Sequence, residues 1–261
     1  MRIYDNCYEL MSETGRNLWE MGSIVKPKHY QNISAREGET FVTKELICEQ
    51  YCLLNMPDPK WLMIFLDDRS KKWAEEEIKE RLSGKTLNPG TAWMEREDLW
   101  RPFLSVHGKL DYSYPERINE VVTYNNKYMT KIDAVIQLLK DDPETRKAIL
   151  NIYGGYANRY FSYKDEDYLD GSHRIPCSMY YDFLIRKDAN GEDRLHICYH
   201  QRSSDFVTFF GTDVWFAWKT MEYVAEKAGV KPGYLYHTID SLHAYEPDWV
   251  KLKTSLSNLE R

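Results

Sequence analysis

A thiol directly behind a proline, Cys177 after Pro176, stands at the head of residues 178–186 (SMYYDFLIR), whose alternation predicts a strand. The proline fixes the approach of the chain, so the sulfur can sit at a sheet edge facing a cleft and serve as a nucleophile. Packing as a small buried hydrophobe is the plainer use of a lone cysteine. Further on, residues 201–205 (QRSSD) close an apolar strand with a polar cluster, where Arg202 is costly unless it meets an anion or a carboxylate. A salt bridge from Arg202 to Asp205 would satisfy it without any ligand. Arg146 and Lys147 lie beside a strand start in residues 142–147 (DPETRK), suited to a phosphate and equally to a solvated turn. In residues 241–245 (SLHAY) polar and apolar groups alternate, so His243 and Tyr245 point the same way. Two hydroxyl-binding groups on one face suit a sugar.

Those residues need elements to position them. Apolar spacing predicts helices over 68–82 and 128–140, the second ending at Asp141-Asp142-Pro143. Residues 148–153 read as a buried strand, and 178–186 and 194–202 as a hairpin across the turn-rich KDANGED. A helix over 213–227 stops at Gly229, and a further strand covers 234–239. The C-terminal half is therefore a sheet packed on at least one long helix.

The 261 residues contain no internal repeat and no Pro- or Gly-rich linker, which favours one domain over 1–261. Hydrophobic residues make up 43% and charged residues 29%, and no apolar run approaches the roughly 20 residues that cross a bilayer. The N-terminal residues lack a basic segment followed by an apolar stretch, so a cytoplasmic location is expected. A net charge of -6 argues against binding to duplex nucleic acid, whereas a free nucleotide needs only two or three placed cations. Five cysteines without CxxC spacing fit neither a disulfide framework nor a zinc site.

In order and spacing the chain resembles the thymidylate synthase superfamily. Residues 142–149 (DPETRKAI) look like its two-arginine segment, Pro176-Cys177 like its nucleophile, 201–205 like its phosphate and folate signature, and 241–245 like its sugar-binding HxY; weaker agreement runs over 100–114. The resemblance implies an α/β fold of three layers, with a mixed sheet forming the face of a homodimer. It implies 5,10-methylenetetrahydrofolate and a pyrimidine nucleoside monophosphate as ligands. Cys177 would add to carbon 6 of the ring, Arg202 and Ser203 would hold the phosphate, and Arg146 would reach the phosphate of the neighbouring subunit. Asp205 would meet the folate, His243 and Tyr245 the sugar, and Tyr114 would join the proton-handling network. Lys147 departs from the usual second arginine and loses its bidentate geometry. Ser178 replaces the histidine that commonly follows the nucleophile. A catalytic glutamate belongs on the early helix; Glu77 fits when Trp100 and Tyr114 are held in register, with Glu76 nearly as good, while residues 75–80 also read as a solvated face.

Asp213, eleven residues after Arg202, stands where thymidylate synthases carry an asparagine that reads uracil. A carboxyl group can accept from the cytosine amine and, when protonated, donate to the ring nitrogen. The aspartate thus favours a cytosine nucleotide, although capping its own helix is a common alternative use. With 177–186 it resembles the phage-type deoxycytidylate hydroxymethylases. That resemblance implies capture of an exocyclic methylene by water to give a hydroxymethyl group, where thymidylate synthases deliver hydride. Three alternatives stand beside it: a thymidylate synthase acting on deoxyuridylate, a deoxyuridylate hydroxymethylase, and a catalytically silent nucleotide-binding relative. The tail LKTSLSNLER does not match the apolar ending that closes thymidylate synthase sites.

Overall fold

The computed structural model describes residues 1–30, 33–34, 41–56, 58–153 and 174–259. The N-terminal part runs β1 (Arg2–Tyr4), α1 (Cys7–Met21), β2 (Ser23–Val25), β3 (His29–Tyr30), β4 (Ile33–Ser34), β5 (Thr43–Leu53), α2 (Asp68–Arg81), α3 (Glu97–Trp100) and α4 (Tyr114–Ile118). There follow β6 (Val121–Tyr124), β7 (Lys127–Thr130), α5 (Lys131–Asp141), β8 (Ile149–Asn151), β9 (Ser178–Lys187), β10 (Asp193–Gln201), β11 (Ser204–Asp205), α6 (Gly211–Ala228), β12 (Lys231–Tyr245) and α7 (Trp249–Leu259).

The chemistry hangs on a mixed sheet ordered β1-β5-β12-β10-β9-β8, with β2 paired to β5 and β11 to β12. Strand β12 lies parallel to β10 and antiparallel to β5. Alternation assigns its faces: Tyr181, Phe183, Ile185, Leu195, Ile197, Leu235 and Ile239 are buried against the helices, while His196, Cys198, His200 and Tyr236 are half-buried on the opposite face. Helix α6 packs on β10 and β12 and beside α5. Its far side carries Phe216, which clusters with Trp73, Ala74 and Ile78 of α2, so sheet, inner helices and α2 form three layers, as the resemblance implies.

Three elements differ from their sequence reading. The helix expected over 128–140 begins only at Lys131, because Asn125 and Asn126 take left-handed φ of 46° and 62° and turn β6 back on β7 as a hairpin. Thr130 then accepts from the Asp133 N–H and starts the helix. The strand expected over 234–239 spans Lys231–Tyr245, since pairing to β5 on one side and β10 and β11 on the other keeps it extended through SLHAY. The helix expected from 213 begins at Gly211, preceded by a π-helical turn over Phe206–Phe210. Its stop is as expected: Gly229, at φ 80°, bonds back to the carbonyls of Ala225 and Glu226.

Candidate active site

Helix α2 presents Trp73, Glu77, Glu80 and Arg81 along one stripe of its surface to a cleft of about 450 Å³. From the opposite side, the segment before β9 brings Cys177, and the turn after β10 brings Arg202 and Ser203. Tyr114, Asp205, Asp213, His243 and Tyr245 also line this cleft. Nine of the expected site residues therefore meet in one cavity. Arg146 and Lys147 do not: both are exposed, and neither lines it.

Arg202 is tied to the backbone around Cys177. Its Nε donates to the Pro176 carbonyl at 2.8 Å and its Nη2 to the Ile175 carbonyl at 2.9 Å, while the Arg202 N–H donates to the Cys177 carbonyl at 2.9 Å. The same Nη2 lies 3.7 Å from the Cys177 sulfur, where its charge favours thiolate. The salt bridge to Asp205 considered from the sequence is not formed. Asp205, which lines the cleft, instead accepts through Oδ1 from the N–H groups of Val207 and Thr208.

Glu77 and Glu76 separate clearly. Glu76 pairs with Lys79 at the surface, whereas Glu77 is 13% exposed and accepts from Arg81 Nε at 2.8 Å. Arg81 is 4% exposed, with its guanidinium 4.1 Å from the Tyr114 ring centre and 3.9 Å from that of Phe216. The solvated-face reading of 75–80 missed this residue; its spacing four after Glu77 was the available signal. Removing one member of such a pair leaves a buried charge uncompensated, so Arg81→Met is expected to lower stability by about 3–5 kcal/mol in urea unfolding. A loss below about 1 kcal/mol would mean that the pair is solvated in solution.

The Tyr114 hydroxyl accepts from the Ser178 N–H at 3.4 Å, one residue after Cys177. Burial pushes its pKa well above the usual phenol value, and the nearby Tyr112, Cys177 and Asp213 push the same way, so it stays a neutral donor. His243 and Tyr245 stand on one side of β12 with ring centres 5.1 Å apart.

Asp213 is the third residue of α6 but does not cap it. Oδ2 accepts from Gln201 Nε2 at 2.8 Å and from Ser204 Oγ at 2.9 Å. Both bonds fall on one oxygen, so Oδ1 alone remains for a base, where the sequence reading used both oxygens. Burial raises the carboxyl pKa to about 6, against the lowering pull of those two bonds. Gln201 belonged to a motif noted in the sequence; Ser204 did too, but neither was singled out as a partner of Asp213. Arg174 was also missed: it is buried, its guanidinium 4.4 Å from the Phe103 ring centre and 5.1 Å from that of Trp100.

The mixed sheet with its covering helices is a fold already seen in a solved structure. The thermostable thymidylate synthase A of Bacillus subtilis superposes with a TM-score of 0.70 over 97% of this chain and 84% of that one, at 16% identity. The thymidylate synthase family model matches residues 72–261, and the chain belongs to that family. Relatives include the "putative thymidylate synthase" of Methanosarcina barkeri, 30% identical over 163 residues, covering 61% of this chain and 66% of that protein. The thymidylate synthase of Clostridium beijerinckii is 29% identical over 140 residues, covering 51% of this chain and 45% of its own. The match thus spans just under two thirds of the first relative's length. Among the described residues no helix is long and apolar enough to cross a membrane.

Proposed function

We propose that the chain transfers a one-carbon unit from 5,10-methylenetetrahydrofolate to carbon 5 of a cytosine nucleotide, converting deoxycytidylate to its 5-hydroxymethyl form through a covalent Cys177 adduct. The observation that carries the base assignment is Asp213: a half-buried acid lining the cleft, its pKa raised to about 6, with Oδ2 occupied by Gln201 and Ser204 and Oδ1 left for the ring.

In this reading the Cys177 sulfur bonds to carbon 6, and the carbon 5–carbon 6 π pair moves toward carbon 4, which makes carbon 5 nucleophilic. Asp213 stabilises that charge by sharing a proton between Oδ1 and the ring nitrogen. Arg202 has Nη1 left for the phosphate, beside Ser203, and His243 and Tyr245 take the sugar hydroxyl. Glu77 and Tyr114 handle protons at carbon 5 and at the incoming water. The folate, when bound, supplies carbon at the oxidation level of formaldehyde. The residues fit it: Trp93, Leu99, Trp100 and Phe209 continue the cleft as an apolar wall, and the Trp100 indole N–H is buried there without a partner. Asp205 Oδ2 would meet its polar end. Arg146, exposed outside the cleft, serves the phosphate of a second copy in a homodimer, with Lys147 as a weaker aid. The half-buried sheet face of His196, Cys198 and Tyr236 supports such a dimer.

A second reading, deoxyuridylate as substrate, has its own support. Ionised Asp213 offers Oδ1 as an acceptor for the uracil ring N–H, and a pKa near 6 makes that form abundant at neutral pH. Tritium release from carbon 5 of each nucleotide, followed by product mass, decides between them. Faster release from deoxycytidylate with a hydroxymethyl product is expected; faster release from deoxyuridylate overturns the cytosine assignment. Release from neither leaves a nucleotide-binding protein without turnover.

A further inference from the structure

Among the described residues three arginines line the cleft, and they differ in what holds their charge. Arg81 pairs with Glu77, and Arg202 bonds to the carbonyls of Ile175 and Pro176. Arg174 is 5% exposed, and among the described residues its guanidinium makes no ion pair and no hydrogen bond. The carboxylate bonded to this residue, Asp111, accepts from its backbone N–H at 2.9 Å and so holds the main chain instead of the charge. Glu45, Glu77, Glu80, Asp205 and Asp213, the acids that line the cleft, all accept from other groups.

The guanidinium lies among aromatic rings, with centres at 4.4 Å for Phe103, 5.1 Å for Trp100 and 5.2 Å for Tyr112. Cation–π attraction offsets part of the cost of taking the charge out of water, but ring faces do not satisfy the N–H donors. Nε and Nη1 are buried without a partner, which leaves Nη2 as the nitrogen through which Arg174 meets the cleft. A cation this deeply buried is costly until an opposite charge arrives. A ligand that brings an anionic oxygen finds a counter-ion already stripped of water and fixed in place.

We infer that Arg174 is an anion-binding residue of this cleft, pairing its buried charge through Nη2 with an anionic oxygen of a bound ligand. The inference deepens the proposed function and rests on it for the two anions it supplies: the nucleotide phosphate and the carboxylates of the folate. Within the cleft the phosphate is otherwise assigned only Arg202 Nη1 and Ser203, so a second cation has a use there. The carboxylates belong to the ligand assigned to the wall that includes Trp100, against which Arg174 packs.

The test measures equilibrium dissociation constants on the whole chain for the wild type, Arg174→Met and Arg174→Gln. Four probes separate the two sources: deoxycytidylate against deoxycytidine, and tetrahydrofolate against its diamide, in which both carboxylates are replaced by carboxamides. Both variants are expected to lose about tenfold or more in affinity for one anionic probe, and less than about twofold for its neutral counterpart. The pair that shows this difference identifies the oxygen, phosphate in the first case and carboxylate in the second. The ligand-free urea midpoint of Arg174→Met is expected to equal or exceed that of the wild type, because an apolar side chain removes an unpaired charge. Unchanged affinity for both anions would overturn the inference. So would a fall in the midpoints of both variants with anionic and neutral probes weakened alike, which would assign Arg174 to packing. If tritium release favours deoxyuridylate, the base assignment fails alone, and deoxyuridylate against deoxyuridine takes the place of the cytosine pair. Should Arg174→Met fail to fold, Arg174→Gln carries the comparison.

Discussion

Replacing Cys177 by alanine is expected to abolish turnover, by about 10⁴-fold or more, and to leave nucleotide affinity within about threefold. The two effects separate because the sulfur makes the only covalent contact in the scheme, whereas the groups assigned to phosphate and sugar lie elsewhere in the cleft. Arg202 is held by the carbonyls of Ile175 and Pro176, which alanine at 177 keeps. Carbon-5 tritium release and equilibrium binding of the nucleotide, measured on the same preparation, check both halves. Turnover within tenfold of the wild type would exclude the covalent adduct.

The second large effect concerns Asp213→Asn. Gln201 Nε2 and Ser204 Oγ both donate to the present Oδ2, so an asparagine places its oxygen there and turns its NH₂ to the cleft. A permanent donor satisfies either the cytosine ring nitrogen or the uracil carbonyl, and the choice between bases collapses by about 10²-fold. The pH dependence collapses with it. In the wild type, kcat/KM for the cytosine nucleotide is expected to fall about tenfold per unit above pH 6, as Asp213 loses the proton it must share. The variant has no such limb. Stability follows the same group: its folded pKa lies above the unfolded value of 3.8, so ionising it in place opposes folding. That cost is fully present above about pH 6 and vanishes below about pH 4, so Asp213→Asn is expected to gain about 2–3 kcal/mol at pH 7 to 8 and nothing at pH 4. Retained selectivity with an unchanged pH limb would remove Asp213 from base recognition.

How much of this was legible from residue order varies with the kind of contact. Cys177, Arg202, Asp213, His243 and Tyr245 lie in short runs whose local geometry brings them to the cleft, and their meeting there follows from strand ends and a helix start. Arg81 hid inside EEEIKERL, because a charged run reads as solvated unless a tertiary surface covers it. Tyr114 and Phe216 cover the Arg81 guanidinium, and nothing local announces them. The buried hydrogen bond between Tyr51 and His237 depends on the register of β5 against β12, across a sequence separation of 186 residues, which no periodicity encodes. The hairpin before α5 was misread for a simpler reason: Tyr128 and Met129 fit an apolar helical stripe as well as a strand, and only the paired asparagines ahead of them decide.

The π-helical turn at Phe206–Phe210 fixes the phase of everything after it. Each residue of an α-helix advances the azimuth by about 100°, so one residue more or fewer there would swing the carboxylate a quarter-turn or more out of the cavity. An insertion or deletion between Arg202 and Asp213 would then turn the acid away from the cleft even where the fold tolerated it. Chain length between those two groups becomes a ruler as well as a tether.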